Sequence, residues 1–195
     1  MIKKIQVVAK FTEIIEMTKL SAPGAPFQYA WHVPNLEDAA KYWAEYLGIG
    51  PFFLSEMDSS QYDGFKYRGG EGILRMRLAW AQSKEGQIEL IEVNSKEPNV
   101  YHDLVEPEKT AFHHIGIWSD DYQTDKKFLS SNYEIAMDMG KDTNICYFDT
   151  AKASGNMIEL IERNDAIVGL FGLIKKAADD WDGTRPLRTM AELPS

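Results

Sequence analysis

The sequence predicts an α+β fold in which two βαβββ modules share one mixed sheet and a C-terminal helix follows. Three observations carry this reading. The pentapeptide Ile88-Glu89-Leu90-Ile91-Glu92 recurs letter for letter as Ile158-Glu159-Leu160-Ile161-Glu162. Each copy is entered from a turn signal, Glu85-Gly86 in one case and Ser154-Gly155-Asn156 in the other, so both are predicted strands. Upstream of each copy lies a strand pattern followed by helix-capping residues, which extends the self-similarity to a whole unit.

In the first unit, residues 27–33 are the opening strand and Pro34-Asn35 follows. Asn35 is placed to cap a helix whose apolar residues Leu36, Ala39, Ala40, Trp43 and Leu47 keep helical spacing until Gly48. In the second, residues 113–118 are the strand, and Ser119 or Asp120 opens a shorter, more polar helix carrying Tyr122, Phe128 and Leu129. Further strands are predicted over 51–57, 73–81, 134–139 and 145–149, giving the order β, α, β, β, β twice. The first unit is the longer because of an insertion around 58–72, rich in Ser, Gly, Asp and Tyr. It is predicted as a long loop or hairpin, and loops of that length often serve as lids. Its run Gly69-Gly70-Glu71-Gly72 has no helix pattern after it, so phosphate binding is not expected there.

The expected organisation is an N-terminal arm over 1–24, a first module over 25–100, a second over 110–163, and a C-terminal helix and tail over 164–195, the modules forming one domain. Ile167, Leu170, Phe171, Ile174, Ala178 and Trp181 make a helical stripe within 166–181. Packing against its own module is the expected use of that stripe, with a dimer contact or a pocket cover as the alternatives.

Composition excludes several classes of function. The chain has 195 residues, 44% hydrophobic and 26% charged, in the ordinary range for a soluble globular protein. A formal net charge of -9 without a basic patch argues against a nucleic-acid partner. The longest apolar run, 166–174, is too short to span a bilayer, so no membrane partner is expected. The single Cys146 cannot form an internal disulfide, and charge breaks residues 1–10 before any signal-type run develops. A cytoplasmic setting is expected.

Strand alternation decides which polar side chains share a face. In the first strand Phe27, Tyr29, Trp31 and Val33 make one apolar face, leaving Gln28, Ala30 and His32 on the other. In the strand from His113, Ile115 and Ile117 pack toward the helix, while His114, Gly116 and Trp118 face oppositely. His114 is thus the counterpart of Gln28. In the repeated pentapeptides, Glu89 and Glu159 point away from the buried Leu90 and Leu160 and join the same inner faces. His32 lies roughly 13 Å along the strand from Gln28, at about 3.3 Å per residue, too far to share a ligand with it. His113 alternates away from the site and His102 lies in a loop, so both are expected to be structural. Arg75, Arg77, Tyr147 and Asp149 lie on predicted strands and are candidate pocket residues without assigned roles.

With these residues in place, the segment 27–163 resembles the vicinal oxygen chelate superfamily, which includes glyoxalase I, methylmalonyl-CoA epimerase, extradiol dioxygenases and bleomycin-resistance proteins. The resemblance implies a glyoxalase-like cupped mixed sheet and one divalent metal ion held by Gln28, Glu89, His114 and Glu159. An amide oxygen, an imidazole and two carboxylates form a mainly hard ligand set of charge -2. It suits Zn, Ni, Co or Mn with coordination positions left open. The resemblance, with the apolar stripe, also implies a homodimer.

The expected reaction is a proton shift next to a carbonyl via a metal-bound enolate, on a small carbonyl or thioester substrate, by a lyase or isomerase. Glu159 is the first choice of base and Glu89 the second. Two alternatives stay open. An extradiol-type dioxygenase would normally use two His and one carboxylate, which Gln28 argues against. A non-catalytic protein that sequesters a drug or other planar ligand would need no metal at all.

Overall fold

The structure, a computed structural model, describes residues 20–22, 24, 26–141 and 143–194. The arm expected over 1–24 lies almost wholly outside them. The first unit comprises β1 (Gln28–His32), α1 (Leu36–Leu47), β2 (Phe52–Asp58), β3 (Lys66–Tyr67), β4 (Arg75–Gln82) and β5 (Gln87–Val93). The second comprises β6 (Ala111–Ser119), α2 (Tyr122–Ser130), β7 (Ile135–Asp138), β8 (Ile145–Phe148), α3 (Ala151–Ser154) and β9 (Met157–Glu162). Helix α4 (Asp165–Asp179) and a short strand β10 (Leu187–Thr189) follow.

Among the described residues the strands form one ten-stranded mixed sheet in the order β10-β2-β4-β5-β1-β6-β9-β8-β7-β3. Its centre is the antiparallel β1/β6 pair, and on either side the order is mirrored: β5, β4, β2 on one, β9, β8, β7 on the other. β1 runs parallel to β5 and β6 parallel to β9. Glu89 stands opposite Ala30, and Glu159 opposite Gly116. The same operation therefore equates Gln28 with His114, each two residues ahead of the carboxylate's partner.

Local chemistry explains the helices. Asn35 accepts the Asp38 N–H through its side chain and Gly48 closes α1 in the left-handed conformation, as its sequence predicts. The second helix begins one or two residues later than expected. Asp121 caps α2 by accepting the Thr124 N–H, while Ser119 stays in β6 and donates to buried Asp125. α4 is capped by Asn164 and ends before Trp181, whose ring instead covers Gly50 so closely that a Cβ there would sit 2.8 Å from it.

The apolar stripe of α4 is used within the chain. Ile174 and Ala177 pack on Phe53, while Ile167, Leu170 and Phe171 face the cavity described below. α1 covers the outer face of the first unit through Leu36 and Ala40, against Ile88 and Leu90. α2 does the same in the second, with Leu129 against Cys146, Phe148 and Leu160.

The inner face is strongly curled. Met57 of β2 and Met137 of β7 are seven strand spacings apart, roughly 34 Å in a flat sheet at about 4.8 Å per strand. Both nevertheless belong to one buried cluster with Ala30, Leu78 and Met157. The 58–72 insertion spans the two units, for β3 inside it pairs with β7 of the second unit. Arg68 fastens it there through Asp103, Glu134 and Asp149.

Candidate metal and active site

The curl brings the two halves of the repeat together. His114 Nε2 lies 3.2 Å from Glu89 Oε2 and 3.2 Å from Glu159 Oε2, and the candidate ligand atoms of the three residues lie within 4.8 Å of one another. His114 is 0% exposed, Gln28 2%, Glu89 5% and Glu159 6%. Gln28, Glu89 and Glu159 line the same cavity.

Among the described residues, one buried polar atom of each of these four makes no well-formed hydrogen bond, although the imidazole nitrogen lies between the two carboxylate oxygens: Gln28 Oε1, Glu89 Oε2, His114 Nε2 and Glu159 Oε2. Buried polar groups almost always find partners, so four such atoms from repeat-related positions call for a common one. Three acceptor oxygens and an imidazole nitrogen are the donor set of a divalent cation. Metal–ligand bonds of about 2.0–2.2 Å put neighbouring ligand atoms roughly 3.0–3.4 Å apart, and the 3.2 Å separations fall in that range. The residues fit a metal ion.

The remaining atoms of the set are held in place. Gln28 Nε2 donates to Gln87 Oε1 at 2.7 Å, turning its oxygen inward. Trp80 Nε1 donates to Glu89 Oε1 at 2.7 Å. Trp80 stands opposite Glu89 on β4 just as Tyr147 stands opposite Glu159 on β8. Tyr147, however, gives its hydroxyl to a contact with Tyr101 at 3.3 Å. The two carboxylates are thus chemically unequal although their backbones are equivalent.

A β-bulge sets the histidine. Between β1 and β6 the register shifts after Ala30, which pairs with His114 while Trp31 pairs with Phe112, so His113 is the extra residue. The expectation that His113 points away from the site is therefore corrected, since an inserted residue breaks alternation. His113 is buried beside Tyr101, with Nε2 3.1 Å from the Val100 carbonyl and Nδ1 3.0 Å from His114 Nδ1. A carbonyl only accepts, so His113 Nε2 carries its proton. Burial pushes this imidazole well below its ordinary pKa, so it is neutral and its Nδ1 accepts from His114 Nδ1–H. His114 Nε2 is left aimed at the two carboxylates.

Without a cation the imidazole and the two carboxylates have one another for counter-charge. Burial alone would lower the His114 pKa, but Glu159 and then Glu89 outweigh it and bring it up to about 9. Burial raises the Glu89 carboxyl, with the His114 contact opposing. Burial also drives the phenols of Tyr101 and Tyr147 well above their usual value, so both are neutral hydroxyls.

Other candidates fall outside the site. Arg77 pairs with Glu37 and Glu92, Arg75 with Asp58, and Asp149 with Arg68. Of the four candidate pocket residues, Tyr147 alone lines the cavity. His32 Nδ1 bonds the Lys109 carbonyl, and its ring packs on His102. Sequence reasoning missed Trp80 and Tyr101. Trp80 was within reach, since it shares the inner-face alternation of β4 with Met76 and Leu78. Tyr101 lies outside the strands, and no periodicity marks it.

Fold and site together define a class: a paired βαβββ protein with an enclosed amide, imidazole and carboxylate centre to which each unit gives two residues. The family model described as Glyoxalase/Bleomycin resistance protein/Dioxygenase superfamily matches residues 27–147, and the chain belongs to that superfamily. No curated protein matches it. Among solved structures, a hypothetical protein from Bacillus halodurans C-125 is similar at TM-score 0.53 and 14% identity, over 72% of this chain and 95% of that one. Methylmalonyl-CoA epimerase from Mycobacterium tuberculosis is similar at TM-score 0.50 and 14% identity, over 78% and 96%. A Streptomyces coelicolor methylmalonyl-CoA epimerase variant in complex with 2-nitronate-propionyl-CoA gives TM-score 0.50 at 12% identity, over 75% and 97%. At these identities the likeness is one of fold. Among the described residues no helix is long and apolar enough to cross a membrane.

Proposed function

We propose that the protein is a metal-dependent lyase or isomerase of glyoxalase-like type that shifts a proton next to the carbonyl of a small carbonyl or thioester substrate. In this reading Gln28, Glu89, His114 and Glu159 hold one divalent ion, Zn, Ni, Co or Mn. The observation that carries it is the set of four buried atoms without a well-formed hydrogen bond, one from each repeat-related position. Because each unit supplies two of them, the units over 25–100 and 110–163 act as one domain.

A cation bound there would offset the two carboxylates and polarise a substrate carbonyl, stabilising negative charge where it develops. The chain's own residues do the rest. Glu159 is the base, because Trp80 anchors Glu89 by a hydrogen bond while the corresponding Tyr147 turns to Tyr101 and puts no such restraint on Glu159. Glu89, the second choice of base, would hold or return a proton on the other face of the carbon. The apolar walls keep water from the carbanion-like carbon until it is reprotonated.

Oxygen activation would call for a second imidazole in the set. His113 is the nearest in sequence, and both its nitrogens are engaged, with Val100 and His114. A purely sequestering role would leave Gln28 Oε1 without a partner and would give no reason to bury two carboxylates around one imidazole.

The test has two parts. Metal analysis should find one ion per chain in the wild type and much less in His114→Ala; equal, full occupancy in both rejects the ligand set. Metal-loaded protein should then place deuterium from heavy water beside the carbonyl of 2-oxo aldehydes or uncharged 2-methyl thioesters. Glu159→Gln should lower that exchange roughly 10²–10⁴-fold, the usual worth of a positioned base. A loaded protein that exchanges nothing yet consumes oxygen with catechols replaces this reading with the dioxygenase one.

A further inference from the structure

We infer that the substrate of this site is an uncharged, largely apolar carbonyl compound carrying a ring or branched group of one-ring size, and that anionic substrates are rejected. The inference rests on the proton-shift reading and names its substrate class. The cavity beside the four-residue set has a volume of about 210 Å³. That exceeds the ~150 Å³ that admits benzene and falls short of the roughly 300–1,000 Å³ typical of sites for larger ligands.

Its walls are apolar on both sides. Met57 and Met76 come from the first unit, Met137 and Met139 from the second, with Trp80 and Tyr147 flanking the carboxylates. Methionine side chains adapt to irregular apolar shapes and make favourable contacts with ring edges. Four of them around one cavity suit an aromatic or branched group better than a polar chain.

Charge points the same way. Among the described residues no Lys or Arg lines the cavity, and the charged side chains that do, Glu56, Glu89 and Glu159, are all acidic. The arginines on β4 and on the insertion are already engaged: Arg68 with Asp103, Glu134 and Asp149, Arg75 with Asp58, and Arg77 with Glu37 and Glu92. Two ligand carboxylates also cancel the charge of a divalent ion. A substrate carboxylate entering here would be buried with no net positive charge to meet it, which is expensive.

A matched pair of vicinal dioxygen compounds tests this: 1-phenyl-1,2-propanedione, uncharged and enolisable, and benzoylformate, of similar size but anionic. Titration calorimetry on metal-loaded protein should find the dione binding at least tenfold tighter. Benzoylformate binding equally or more tightly, or neither compound binding, overturns the inference. Met137→Trp, which fills the cavity, should weaken dione binding tenfold or more, and Met57→Trp does so from the opposite wall if the first variant fails to fold. Unchanged binding in a folded variant also overturns it. Deuterium exchange at the dione methyl separates the two claims: tight binding without exchange keeps the substrate class and removes the reaction, while exchange confined to anionic 2-oxo acids does the reverse.

Discussion

Gly116 stands directly opposite Gln28 in the central strand pair, and a Cβ on Gly116 would lie 2.9 Å from both the Gln28 Cβ and its amide oxygen. Glycine at this position is what lets the amide lie over the sheet and present Oε1 to the centre. Gly116→Ala should therefore displace the Gln28 amide, lowering metal affinity about 10–100-fold, as loss of a supporting contact usually does. Its stability cost should be about 1–3 kcal/mol, the range for overpacking. Gly86→Ala is the control, since its Cβ would meet Tyr29 on the helix-facing side instead. Competition titration with a chromophoric chelator decides: if both variants bind metal like the wild type, Gln28 is not a ligand.

The inequality of the two carboxylates gives a second expectation. Trp80→Phe removes the one indole donor to Glu89 Oε1 and leaves a buried carboxylate oxygen short of a partner. Stability should fall by about 1–3 kcal/mol. If Glu159 is the base, exchange by the folded, metal-loaded Trp80→Phe protein should stay within about tenfold of wild type, against the 10²–10⁴-fold loss expected for Glu159→Gln. The reverse ranking assigns the base to Glu89.

How much of this was legible in the sequence follows from the range of each interaction. The repeated pentapeptide marks Glu89 and Glu159 because it is a local pattern occurring twice, and alternation then carries Gln28 and His114 to the same face. His113 was misplaced because a bulge adds one residue to one strand, and nothing in the residues 111–114 announces it. β10 and β3 escaped notice because strands of two or three residues at sheet edges have no periodicity to detect. The pairing of β3 with β7 is a contact between units, decided by the closing of the sheet. Trp80's role depends on which carboxylate lies across the neighbouring strand, so it emerges only with the register.

The clasp on the insertion should show in the acid limb of stability. Hydrogen bonding from Arg68 holds the Asp149 carboxyl below its usual range, with burial opposing. A carboxylate whose pKa is lower in the folded state stabilises above its unfolded value of about 3.9, and that contribution is lost as pH falls through the lowered folded value. Arg68→Met should therefore be less stable than wild type at pH 7 by about 1 kcal/mol, the scale of a partly exposed pair. The gap should narrow as pH falls below about 4. Urea denaturation at a series of pH values measures it, and a gap constant down to pH 2 would assign the loss to packing alone.

His113 should govern metal binding without touching the metal. Its Nε2–H is committed to the Val100 carbonyl and its Nδ1 accepts from His114, which leaves the His114 Nε2 lone pair for a cation. Histidine ligands generally depend on such a partner for their tautomer and ring orientation, and losing it costs about 10–100-fold in affinity. His113→Phe fills similar space but cannot accept, so His114 Nδ1–H and the Val100 carbonyl both lose their partner. Zinc affinity should fall in that range. Tyr147→Phe, which keeps the ring packed on His114 at 4.9 Å and removes a hydroxyl bonded elsewhere, should leave affinity within about threefold. Nitrogen-15 spectra of the zinc-loaded wild type supply a readout independent of affinity: His114 should appear with its proton on Nδ1 and His113 with its proton on Nε2. A loaded protein in which His114 carries the proton on Nε2 would show that His113 does not set the tautomer, and that zinc is not bound through that nitrogen.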